Sequence, residues 1–258
     1  MKSSIRKLLI AVTLCITLSL VSCMDTADVT QDTSDNDTDI GAPHVLADKS
    51  EDYIDSFIFF GESTTYHMKS REVLSGGKST KQIWAPKSGT VNLDTTTSSI
   101  KIVFPETGEE MTIGKALKKA LPTRIMLTFG LNGATHKIKK GEEYFRTCYL
   151  SLINKIRESS PSTKIYLQSC FPISKSMDMS AYTVDAHTLN SYIDTINKWT
   201  ARLAADEGLY YVDSAPCLKD GDGFLMNEYD SGDGYHLTVK AYEKILEYIR
   251  LNRPTEDA

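Results

Sequence analysis

From residue 53 onward, short apolar runs alternate with amphipathic stretches, and this alternation restricts the chain more than any other feature of its sequence. Ser56-Phe57-Ile58-Phe59-Phe60, Ile125-Met126-Leu127-Thr128-Phe129, Ile165-Tyr166-Leu167 and Leu209-Tyr210-Tyr211-Val212 read as strands buried on both faces. Between and after them, Phe145, Tyr149, Leu152, Ile153 and Ile156 recur at helical spacing. So do Leu189, Tyr192, Ile193, Ile196, Trp199 and Leu203, and then Tyr242, Ile245, Leu246 and Ile249. Strands that alternate with helices build a parallel sheet covered by helices on both faces. Residues 80–113 break the rhythm. There Ile100–Phe104 and Met111–Ile113 flank the turn signal Pro105-Glu106-Thr107-Gly108, which predicts an inserted β-hairpin.

The first fifty residues follow other rules. Lys2, Arg6 and Lys7 precede an apolar run of 14 residues from Leu8 to Val21, too short to span a bilayer, which needs roughly 20. A charged segment followed by such a run is the pattern of an export signal. It ends in Leu20-Val21-Ser22-Cys23, which resembles the lipobox of bacterial lipoproteins. That resemblance implies cleavage before Cys23 and a diacylglycerol on its sulfur as the membrane tether, with two acyl chains anchoring stably. Residues 24–52 are rich in Asp, Ser and Thr and bury too little to offset chain entropy, so they read as an acidic spacer. Asp35–Asp39 fails as a calcium loop because Ile40 and Leu46 stand where Gly and Glu are required. The expected organisation is a signal (1–22), a lipidated cysteine with a disordered acidic linker (23–52) and one α/β domain (53–258).

With 29 basic and 34 acidic side chains the net charge is −5, and loss of the basic signal makes the exported form more acidic still. No basic stripe is available for phosphates, which argues against nucleic acid as a partner. Of five cysteines, Cys148, Cys170 and Cys217 remain after export with Cys23 lipidated. They lack CxxC spacing and form neither a disulfide framework nor a zinc site. Cys170 and Cys217 each follow an expected strand and are the pair to consider if any bond forms. There is no Gly-x-Ser-x-Gly elbow, no complete P-loop at Gly77-Lys78-Ser79 and no His-Glu-x-x-His. Neither a metal nor another cofactor is expected.

In open α/β sheets, ligands sit beyond the carboxyl ends of the strands. The first apolar run ends in Gly61-Glu62-Ser63-Thr64-Thr65 and the second in Gly130-Leu131-Asn132-Gly133. Before the last amphipathic stretch stands Asp233-Gly234-Tyr235-His236. A serine, an amide and an Asp/His pair three residues apart suit acyl transfer, with His as general base, Asp as its orienting partner and the amide as an oxyanion donor.

These three blocks, in this order over about 200 residues, resemble the SGNH/GDSL hydrolases, which carry Gly-Asp-Ser, Gly-x-Asn-Asp and Asp-x-x-His blocks at corresponding places. The resemblance implies a three-layer α/β/α sandwich with a mainly parallel, flavodoxin-like sheet. It makes Ser63 the nucleophile, His236 the base and then acid, and Asp233 its partner. The N–H groups of Ser63 and Gly89 and the Asn132 side chain would line the oxyanion hole; Gly76 and Gly77 are alternatives to Gly89. Two departures stand out: Glu62 and Gly133 each replace the family's usual Asp. His67 and His136 lie near the first two blocks without a partner motif and read as supporting or surface residues.

The expected activity is hydrolysis of O-acyl esters, O-acetyl among them, on extracellular carbohydrate, at the surface or periplasmic face of a bacterial membrane. Acylated small molecules, and lipase or thioesterase specificity, are alternatives within the enzyme class. From another class, the alternative is a non-catalytic binding lipoprotein that retains the fold, with Glu62 and Gly133 in its favour.

Overall fold

The computed structural model describes residues 50–254, within the unit Leu46–Ala258. The signal, Cys23 and nearly all of the linker lie outside the described residues. Among the described residues, no helix is long and apolar enough to cross a membrane.

Five parallel strands form the main sheet: β1 (Phe57–Gly61), β2 (Ile83–Trp84), β5 (Arg124–Thr128), β6 (Lys164–Gln168) and β7 (Tyr210–Val212). Their spatial order is β2-β1-β5-β6-β7. Counted within this sheet alone the order is 2-1-3-4-5, the flavodoxin-like doubly wound topology. The register is regular, with Phe57 opposite Arg124 and Gly61 opposite Thr128, and then Arg124 opposite Lys164. β3 (Lys101–Val103) and β4 (Glu110–Thr112) form a separate antiparallel pair.

The expected hairpin is therefore present, but it occupies only residues 101–112. The start of the expected insertion contains β2, which pairs with β1 through Phe59–Ile83 and Phe60–Trp84 and forms an edge of the main sheet. A two-residue strand is too short to show a period, so its sequence carried no strand signal.

Alternation along each strand divides the core in two. Phe60, Ile125, Leu127, Ile165 and Leu167 face one side, where α3 (Ile113–Ala120), α4 (Ala134–Lys140), α5 (Glu142–Ser159) and α6 (Ala186–Glu207) pack. Phe57, Phe59, Met126 and Tyr166 face the other, against α1 (Ser50–Asp55), α2 (Ser63–Ser70) and α7 (Val239–Leu251). The apolar stripes of α5 and α7 are buried as their spacing predicts; in α6, Tyr192 and Trp199 are only partly covered.

Cys148, Cys170 and Cys217 are free thiols, so the Cys170–Cys217 pairing does not occur. The cause is topological. Cys170 belongs to the core under α5 and α6, whereas Cys217 packs on the opposite side of the sheet and donates its S–H to the Ser214 carbonyl.

Candidate active site

The order of the main sheet reverses between β1 and β5, and a doubly wound fold opens its ligand crevice beyond the carboxyl ends of the strands at such a point. Both loops there carry candidate residues. Gly61 ends β1 where a Cβ would lie 2.4 Å from Thr65 Oγ1 and 2.5 Å from the Thr128 carbonyl oxygen. Only glycine lets the chain turn from β1 into α2 so close to β5. Ser63 is the first residue of α2, a position whose N–H has no intrahelical acceptor.

Glu62, between them, is buried and fixes the second loop. Its Oε1 accepts the Gly130 N–H and its Oε2 the Asn132 N–H, both at 2.9 Å. Burial raises its pKa, against the lowering effects of the nearby Lys137 ammonium and of the N–H groups of Asn132, Gly130 and Leu131. Lys137, itself buried on α4, donates to the Asn132 carbonyl. The other departure, Gly133, adopts φ +68°, and the Lys137 ammonium lies 3.6 Å from where its Cβ would stand. The Asn132 backbone is thus held from both sides. Its side chain donates from Nδ2 to Thr90 Oγ1 at 3.0 Å, and the second N–H of that amide makes no bond within the described residues.

The third block lies in the loop before α7. Asp230 Oδ1 accepts the N–H groups of Gly232 and Gly234 at 2.8 and 2.9 Å, which folds this loop back on itself. Asp233 Oδ1 then accepts the His236 N–H at 2.8 Å, and its Oδ2 meets His236 Nδ1 at 2.6 Å. Burial opposes ionisation of Asp233, but hydrogen bonds from the His236 N–H and ring and from the Tyr235 N–H outweigh it and hold the carboxyl below the usual range.

His236 Nε2 lies 3.0 Å from Ser63 Oγ, across 173 residues of sequence. With Nδ1–H donating to Asp233, Nε2 is left as the acceptor for the serine hydroxyl. Tyr242 on α7 ties the two halves together by donating to the Thr64 carbonyl at 2.6 Å. Ser63, Asp233, His236 and Asn132 therefore converge in an arrangement able to activate a hydroxyl nucleophile and to stabilise an oxyanion.

Gly89 does not join them. Its N–H is already donated to the Pro86 carbonyl at 2.9 Å, its φ is +74°, and a Cβ there would meet the Tyr66 ring at 3.0 Å. The glycine serves a tight turn stacked on Tyr66. The next residue, Thr90, lines the cavity instead, and its N–H makes no hydrogen bond within the described residues. Gly76 and Gly77 also spend their conformation on a turn, with Gly77 N–H bound to the Leu74 carbonyl.

An open cavity of about 830 Å³ surrounds Ser63 and His236. Its wall includes Thr90, Asn132, Leu131, Met177, Tyr182 and Tyr235. Lys139 and His136 also line it, and among the described residues no carboxylate does. His136 is an exposed part of the wall, edge-on to Tyr144. His67 is closer to the centre: its ring stacks on that of His236, with centroids 4.0 Å apart and planes at 27°. The clue in the sequence was position, since His67 is four residues after Ser63 and so on the same face of α2. Lys137 and Thr90 gave no such clue, because their partners are distant in sequence.

Residues 59–244 match the family model described as "GDSL-like Lipase/Acylhydrolase family". No curated protein sequence matches the chain. Among solved structures, the fold is similar to a Streptococcus pneumonia protein provisionally described as a platelet activating factor, at TM-score 0.51 and 19% identity over 78% of this chain and 90% of that one. It is likewise similar to a DUF4886 family protein from Bacteroides uniformis, at TM-score 0.50 and 16% identity over 77% and 83%. A Slackia heliotrinireducens protein provisionally described as an SGNH hydrolase matches at TM-score 0.50 and 14% identity over 77% and 98%.

Proposed function

The chain belongs to the GDSL-like lipase/acylhydrolase family and is an ester hydrolase, and from that premise we propose that it is a serine esterase removing O-acyl groups, acetyl foremost, from extracellular carbohydrate. The observation that carries the serine mechanism is the continuous chain from Ser63 Oγ to His236 Nε2 at 3.0 Å and from His236 Nδ1 to Asp233 Oδ2 at 2.6 Å. Ser63 Oγ attacks the ester carbonyl carbon while His236 takes its proton. The carbonyl oxygen gathers negative charge beside the free Asn132 N–H and the N–H groups of Ser63 and Thr90. As the ester C–O bond breaks, His236 returns the proton to the departing alcohol oxygen, leaving an acyl group on Ser63. Water then attacks that acyl carbon with His236 again as base, and the carboxylic acid and Ser63 hydroxyl are regenerated.

The lining of the cavity supports an acyl group on a polar carrier. Leu131, Met177 and Leu189 offer apolar surface for the acyl group, and Tyr182, Tyr235, Thr90 and Asn92 add polar groups for its carrier. Acetate release from a panel of O-acetylated polysaccharides, run beside p-nitrophenyl esters of increasing length, tests this assignment. The reading expects acetyl esters to be cleaved fastest and Ser63→Ala to be inert; preference for long acyl chains would move the enzyme to the lipases.

The site of action in this proposal is the outer face of a bacterial membrane, with Cys23 lipidated after removal of residues 1–22. The basic Lys2, Arg6 and Lys7, the apolar run and Cys23 support it. Cys23→Ala should shift the protein from the membrane fraction to the soluble one.

A further inference from the structure

The hydrogen bonds of His236 leave one degree of freedom unexplained. Ser63 and Asp233 bind its two ring nitrogens at 3.0 and 2.6 Å, and contacts at the nitrogens do not cover the faces of the ring. The ring of His67 covers a face of His236 at 4.0 Å, and Tyr235 packs against the same imidazole at 4.1 Å and 41°. His67 is carried by the helix that begins with Ser63, one turn further on, so one element positions both the nucleophile and this ring. Its Nδ1 is buried and without a hydrogen-bond partner among the described residues.

We propose that His67 is a positioning residue of the esterase, a neutral ring that holds the plane of His236 and faces the imidazolium that forms there during acyl transfer. The inference rests on the serine-esterase reading above. An aromatic face attracts a cation lying against it, whereas a second cation at that distance repels it. Protonation of His67 would place an N–H donor at the buried Nδ1, where none of the described residues offers an acceptor, which opposes the charged form on geometry alone. The groups facing His67 act in the same sense on balance: burial first, then His236 and Arg71, lower its pKa, and only Asp233 raises it. Neutral His67 is thus the working form, and its protonation in acid removes activity.

The test is steady-state hydrolysis of p-nitrophenyl acetate from pH 5 to 9 by the full protein, by His67→Ala and by His67→Phe, with thermal melts to confirm that each variant is folded. Loss of the ring should lower kcat about tenfold, a fraction of what general-base catalysis supplies, with KM within about twofold. Phenylalanine, which restores a ring but cannot be protonated, should recover most of that loss. The acid limb of kcat/KM should steepen toward two protons in the wild type and follow one proton in His67→Phe. Wild-type kcat in His67→Ala, no recovery with Phe, or acid limbs of equal steepness would each overturn the proposal. If the wild type itself neither hydrolyses the ester nor reacts with a fluorophosphonate, the esterase reading fails and this inference with it. If the wild type turns over and His67→Ala equals it, only this inference fails.

Discussion

Asp233 holds His236 by three contacts to two residues, accepting the Tyr235 and His236 N–H groups on Oδ1 and the imidazole on Oδ2. Because its folded pKa lies below the ordinary value of 3.8, the carboxylate is ionised, and its share of stability is complete, above that value; the contribution is lost only as pH falls through the lower folded value. The loss of activity on the way down from neutral pH therefore does not belong to Asp233. Asp233→Asn should lower kcat/KM by roughly 10³-fold or more at every pH while the acid limb persists. A pH–rate series checks this, and disappearance of the limb would reassign it to Asp233. Asn132 makes a separable contribution. Removing its amide in Asn132→Ala should cost about 10²- to 10³-fold in kcat, the usual cost of one oxyanion donor. The melt should stay near that of the wild type, since the backbone of that loop is held by Glu62 and Lys137.

At the scale of elements, the long segment after β6 is organised by α6 rather than by the sheet. Asn197 on α6 accepts the Cys170 N–H at 2.7 Å and donates to the Cys170 carbonyl at 3.0 Å; Asn190 does the same for Ile173 at 2.9 and 3.0 Å. Each amide replaces a strand partner that this stretch lacks. Asn197→Ala would leave a buried N–H and a buried carbonyl unpaired, at about 1–3 kcal/mol each. Chemical denaturation should register that loss as a lower midpoint with unchanged slope, and an unchanged midpoint would show that water replaces the amide. The same element explains what could be read in advance. The spacing of Leu189, Ile193, Ile196 and Leu203 revealed the buried stripe of α6, but Asn190 and Asn197 are polar residues whose partners depend on tertiary contact. β2 carries no strand signal because Ile83–Trp84 is shorter than any period, and Gly89 reads as an oxyanion glycine because a glycine whose N–H closes a turn looks the same in sequence. Ser63, Asn132, Asp233 and His236 were legible because each sits where an expected strand ends or an expected helix begins.

In the molecule as a whole, the sheet order explains why residues so far apart meet. The order 2-1-3-4-5 within the main sheet places the ends of β1 and β5 side by side at its reversal, and the loop before α7 returns to the same edge through the hydrogen bond of Tyr242 to Thr64. Glu62, a departure from the family pattern, has a definite place in this assembly, since its two oxygens join the loop after β1 to the loop after β5. This convergence should make Ser63 a nucleophile activated by His236. Intact-mass analysis after incubation with a fluorophosphonate tests it most directly. The wild type should carry one phosphonyl group, located at Ser63 by peptide mapping, and Ser63→Ala none. A folded wild type that stays unlabelled, or a label that persists in Ser63→Ala, would contradict it.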